Sequence, residues 1–138
     1  VAYREVRVSS LLVTVDESGL GPQHFDVAVD WRGDTVVVTV SGELDLVTAP
    51  QLQESVTLVL GKSPTALVID LSDVGFLASA GMSLLASTHQ QLGEEAKFAV
   101  VADGPATGRP LSLVGLDQLF GIYATVEEAL TALATGKS

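Results

Sequence analysis

Ser79 lies in the stretch FLASAGMSLLA, residues 76 to 86, between two alanines and directly ahead of Gly81 and an apolar run that reads as a helix. A serine oxygen in that place can attack a carbonyl, cap the helix, or accept a modifying group. Attack calls for Gly-x-Ser-x-Gly at a strand-to-helix turn, with a histidine and an acid in support. Gly81 fills the second glycine position, but Leu77 occupies the first. The two histidines are His24 and His89. His89 lies further along the same helix, about 15 Å away at about 1.5 Å per residue. A general base works in direct hydrogen-bond contact, so hydrolysis at Ser79 is set aside. Gly61-Lys62-Ser63 and Gly136-Lys137-Ser138 imitate the end of a phosphate-binding loop, yet Val56 and Thr131 stand where that motif needs its first glycine. No pair of histidines or carboxylates has ligand-like spacing for a metal. The chain has no cysteine, which removes disulfides, thiolate metal sites and a thiol nucleophile together. The expectation is a chain that catalyses nothing and needs no cofactor or metal.

Two roles for Ser79 remain, and they are compatible. As a helix N-cap its hydroxyl would satisfy an unpaired backbone amide, a contribution of about 1 kcal/mol. It would also project at the carboxyl end of a buried strand, where α/β folds place their sites. The amides and dipole of a helix start accommodate a phosphate. Phosphorylation would add roughly −1.5 to −2 charges, and from Ser63 to Ala96 there is no Lys or Arg to neutralise them.

The elements that must position this serine are legible in the pattern of the chain. FDVAVDW alternates with period two, Gly33-Asp34 makes a turn, and DTVVVTVSG is a β-branched run, so a hairpin is predicted. A helix starts near Thr48, with Pro50 in its first turn and Leu52, Val56, Val59 and Leu60 on one side. TALVIDL is the continuous apolar run of a strand covered on both faces. SDVGF is read as a loop, followed by a helix from about Ser79 to Leu92 with Met82, Leu85 and Leu92 inward. KFAVVA is another strand, RPLSLVGLDQLF a helix broken near Gly115, and Ile122-Tyr123 a brief extended piece. Thr125 and Glu128 form a capping box for a last helix. The alternation predicts an α/β domain, a mixed sheet of four to five strands with helices packed against it.

The whole chain sets further bounds. Its 138 residues, 47% hydrophobic and 17% charged, suit one globular domain over residues 25–138. Residues 1–24 read as an arm that is either flexible or paired with a sheet edge. No apolar run approaches a membrane span, no signal-peptide pattern opens the chain, and a cytoplasmic location is expected. The net charge of −10, from 17 acidic and 7 basic residues, disfavours nucleic acid and anionic membrane as partners. A protein partner is expected.

Three blocks, SGELDLVTAPQL at 41 to 52, LVIDLSDVGFLASAGMSLL at 67 to 85 and LVGLDQLFGIYATVEEAL at 113 to 130, resemble the STAS domain family, in particular the stand-alone bacterial anti-sigma factor antagonists. The resemblance implies a module that binds an anti-sigma factor of the GHKL serine-kinase type and so frees a sigma factor. In that family the kinase phosphorylates a serine within Asp-Ser-Ser/Thr-Gly, which breaks the complex, and a serine phosphatase restores it. Ser79 matches the acceptor, whereas Ala78 and Ala80 replace the flanking aspartate and second hydroxyl. By the same match the partner-binding candidates are Glu43, Leu44, Asp45, Thr48, Asp73, Ala78, Ala80, Gly81 and Met82. For Asp45 and Thr48 capping of the next helix is an equal reading, and for Met82 a place in the core. Alternatives are a STAS module that binds without phosphorylation, and a small-ligand or nucleotide sensor. A monomer or weak homodimer is expected.

Overall fold

The structure, a computed structural model, describes residues 25–135. The arm expected over residues 1–24 and the terminal Gly136-Lys137-Ser138 lie outside the described residues. Among the described residues five strands form one sheet in the order β1-β2-β3-β4-β5: β1 Asp26–Arg32, β2 Thr35–Leu44, β3 Ala66–Leu77, β4 Lys97–Val101 and β5 Gly121–Tyr123. β1 and β2 are the antiparallel hairpin turned at Gly33-Asp34, and the other neighbours pair in parallel. The α-helices among the described residues are α1 Ala49–Leu60, α2 Ser79–Leu92, α3 Gly108–Leu113 and α4 Val126–Ala134.

Alternation along the buried strands divides the interior in two. Val36, Val38, Val40, Leu67, Ile69, Phe98 and Val100 meet Leu52, Val56, Leu85 and Leu111 of α1, α2 and α3. Val37, Val68, Ala99 and Val101 point to the opposite face, where α4 covers them with Ala129 and Leu133. The helix predicted over RPLSLVGLDQLF is broken as expected: Gly115 takes φ 84°, a left-handed conformation open to glycine, and a single 3-10 turn, Leu116–Gln118, follows. At the start of α4, Thr125 Oγ1 accepts from the Glu128 amide at 3.1 Å, and Glu128 reaches back to the Ala124 amide at 3.2 Å.

One element differs from the sequence reading. SDVGF is strand, not loop, so β3 is 12 residues long and Asp73 sits on it. The reason is in the register. Thr39 pairs with Asp70 but Ser41 with Asp73, and Gly42 pairs with Val74 but Glu43 with Phe76. At each step β3 carries one residue more than β2, a β-bulge. The residues that stay in the core are therefore Leu71, Val74 and Leu77, three apart. A period of two is absent there, and period two was the signal for a strand.

Candidate functional site

β2 and β3 run parallel, so their carboxyl ends form one rim; β2 leads into α1 through the loop 45–48, and β3 into α2 through Ala78 alone. The last pairs of the ladder are Glu43 with Phe76 and Leu44 with Leu77. The Ala78 amide then donates to the Leu44 carbonyl at 2.9 Å, which ties the start of α2 to the end of β2. The loop after β2 and the first turn of α2 are thus held as one surface.

Within that loop, Asp45 and Thr48 lock each other. The Val47 and Thr48 amides each donate to Asp45 Oδ1 at 3.0 Å, and the Asp45 amide donates to Thr48 Oγ1 at 2.9 Å. Thr48 Oγ1 donates its single hydrogen to the Glu43 carbonyl at 2.7 Å, in preference to Asp45 Oδ1 at 3.2 Å. The Ala49 amide donates to the Asp45 carbonyl at 2.8 Å, and α1 begins there. Donation from the Thr48 amide, joined by that of Val47, holds the Asp45 carboxyl below its ordinary range, against a partial desolvation that acts the other way. The pair does not cap α1 as expected: Thr48 stands at its N-cap position, but no side-chain hydrogen bond reaches the first helical amides, and what the two residues make instead is this lock on the loop. It leaves their outer atoms available to a partner, since both residues are half-exposed.

Ser79 is exposed and opens α2, but it is not the cap. The N-cap position belongs to Ala78, in extended conformation at φ −89° and ψ 171°, with no side-chain hydrogen bond. An alanine has no oxygen with which to cap, so the first amides of α2 are left without a side-chain partner. The Ser79 hydroxyl stands one residue into the helix, at a position from which it is accessible.

The other candidates separate by burial. Glu43 and Asp73 are exposed, and Ala78, Ala80 and Met82 are half-buried, with Met82 packed against the core as its alternative reading had it. Leu44 and Gly81 are corrections. Leu44 is fully buried in the core, so its side chain is out of a partner's reach. Gly81 is buried too, and a Cβ built on it would meet Leu44 Cγ at 2.7 Å and Leu77 Cδ1 at 2.8 Å. Its glycine lets α2 approach the sheet, a seating role. Three rim residues escaped the sequence reading: Leu46 is 78% exposed, Val47 76% and Phe76 51%. Adjacent leucine and valine between two locking residues, outside any helix or strand period, was the signal available.

Charge at the ends of β2 and β3 is one-sided. Between Arg32 and Lys97 the only Lys or Arg is Lys62. Arg32 closes β1, Lys62 follows α1 and Lys97 opens β4, all toward the other end of the sheet, while Arg109 follows the carboxyl end of β4, with β3 between it and β2. His89 is also remote from Ser79: its ring lies 6.2 Å from that of Phe98 and 5.9 Å from that of Phe120, near the start of β4. Among the described residues no group of three or more His, Asp or Glu is placed to hold a metal ion, and no helix is long and apolar enough to cross a membrane.

Comparison with known proteins adds to this geometry. A family profile for the STAS domain matches residues 26–129. The chain is 43% identical over 116 residues to the anti-sigma-F factor antagonist RsfB of Mycobacterium tuberculosis, across 84% of this chain and 95% of that protein. It is similar in structure to an anti-sigma factor antagonist from Mycobacterium paratuberculosis, with a TM-score of 0.78, 50% identity and coverage of 81% of this chain and 96% of that one. It is also similar to Bacillus SpoIIAA in its phosphorylated form, with a TM-score of 0.60, 20% identity and coverage of 78% and 98%, a likeness of fold alone.

Proposed function

The chain belongs to the STAS domain family, and we propose that within it this protein is an anti-sigma factor antagonist, a binding module that occupies an anti-sigma factor and so frees a sigma factor. The observation that carries the reading is the joining of an exposed Ser79 to the locked GELDLVTA loop through the hydrogen bond from Ala78 to Leu44. The role given by name to RsfB, which aligns over nearly its whole length, supports it.

The finer proposal is a switch. The partner is an anti-sigma factor of the GHKL serine-kinase type that transfers a phosphoryl group to Ser79, and a serine phosphatase reverses the step. A phosphate on the first residue of α2 sits among amides that lack side-chain partners and at the positive end of the helix dipole, so the domain itself accommodates it. The partner does not. Roughly −1.5 to −2 added charges on a rim already bearing Glu43, Asp45 and Asp73 change both its field and its bulk. A protein that docks there loses contact over the centre of its footprint.

Ala78 and Ala80 favour a second reading, in which the module binds but the serine is never modified. Two measurements separate these. Binding of purified anti-sigma factor to the parent, Ser79→Ala and Ser79→Asp proteins is expected to be tight, tight and lost. Incubation with the anti-sigma factor and MgATP, followed by mass spectrometry, is expected to place one phosphate on Ser79. An aspartate variant that binds as tightly as the parent would show that no charge switch operates at this position.

A further inference from the structure

We propose that Leu46 and Val47, with Phe76 on the neighbouring strand end, form the apolar anchor by which this chain selects its anti-sigma factor, and that the partner presents an apolar hollow bordered by Arg or Lys. The proposal rests on the antagonist reading above and assigns residues which that reading leaves unused.

Large side chains left in water on a small domain are ordinary when scattered, and informative when clustered. Here two consecutive ones, 78% and 76% exposed, sit at the tip of the loop after β2, and the third follows the rim on β3, where Phe76 pairs with Glu43. The tip is not slack. The Val47 amide is bonded to Asp45 Oδ1, and the residues on either side of the pair, Asp45 and Thr48, are bonded to each other. An apolar pair fixed before the partner arrives loses little conformational freedom on docking, so its burial is converted to affinity efficiently.

The surroundings identify the occupant. Glu43, Asp45 and Asp73 lie by the ends of β2 and β3; Arg32, Lys62 and Lys97 belong to the other end of the sheet, and Arg109 follows the end of β4, on the side of β3 away from β2. Anionic lipid and nucleic acid are repelled by such a surface. The hollow beside His89, Phe98 and Phe120 and the one beside Asp103, Gly108 and Arg109 are both lined by residues other than the three anchor residues. A folded polypeptide with complementary positive charge around an apolar depression meets both features at once.

The test is titration of the parent and of exposed-surface variants against purified anti-sigma factor. Leu46→Ser and Val47→Ser are each expected to weaken the dissociation constant about tenfold, and the double variant about a hundredfold. Leu58→Ser, at a residue 70% exposed on α1 and away from the rim, serves as control and is expected to bind like the parent. Melting temperatures equal to that of the parent confirm that the variants are folded. If the double variant binds within about twofold of the parent while Ser79→Asp abolishes binding, the anchor is wrong and the antagonist reading stands. If the folded parent binds no anti-sigma factor, both are wrong.

Discussion

Gly81→Ala measures how tightly α2 is seated on the ends of β2 and β3. In an ordinary helix the change stabilises by about 0.5 to 1 kcal/mol, because alanine loses less backbone freedom on folding. At this position the added methyl would lie 2.7 Å from Leu44 Cγ and 2.8 Å from Leu77 Cδ1. Carbon atoms in contact settle at about 3.5 to 4.0 Å. Neither leucine has room to withdraw: Leu44 is 0% and Leu77 5% exposed, and the Leu44 carbonyl is fixed by the Ala78 amide. Overpacking of this kind costs about 1 to 3 kcal/mol, so the net expectation is a loss of about 1 kcal/mol and a fall in melting temperature of about 3 to 5 °C. Urea denaturation followed by circular dichroism gives the number. Leu44→Val removes part of the obstacle, and the double variant is expected to lose less than the sum of the two single changes. A Gly81→Ala protein more stable than the parent would refute the seating argument.

Asp45 has a carboxyl pKa lowered in the folded chain from an ordinary value of 3.8. A lowered folded value means that the charged form contributes stability above the ordinary value and that this contribution is lost as pH falls through the folded one. The parent is therefore expected to exceed Asp45→Asn in stability at neutral pH and to converge with it in acid, as read by urea midpoints at the two conditions. A gap that is constant with pH would show that the charge is irrelevant to the loop. Thr125→Ala removes the oxygen that accepts from the Glu128 amide and is expected to cost about 1 kcal/mol, visible as a lower urea midpoint with an unchanged slope.

The hairpin, the helix starting near Thr48, the break at Gly115 and the box at Thr125 were readable because each has a local cause: a turn pair, a proline, a glycine and two spaced side chains. The end of β3 was not, since a bulge leaves its mark in the partner strand's register and not in the strand's own letters. The same applies to Ser79, where the decision between cap and first helical residue depends on the extended backbone of Ala78. Leu44 and Gly81 sit inside the two stretches that the resemblance offered as a partner face, and only three-dimensional contact separates the exposed members of those stretches from the ones that hold them together. For Leu46 and Val47 the available signal was a place outside any helix or strand period, and their exposure is visible only in the folded loop.

The doubled bulge in β3 has a consequence for how such proteins diverge. A regular strand with one covered side offers every second residue to the outside, whereas Ser72, Asp73, Gly75 and Phe76 are outside and only Val74 separates the two pairs. Two letters in three are thereby released from interior constraint along this segment. Duplicated copies of the gene have room to acquire new partners through changes here while the buried scaffold stays as it was.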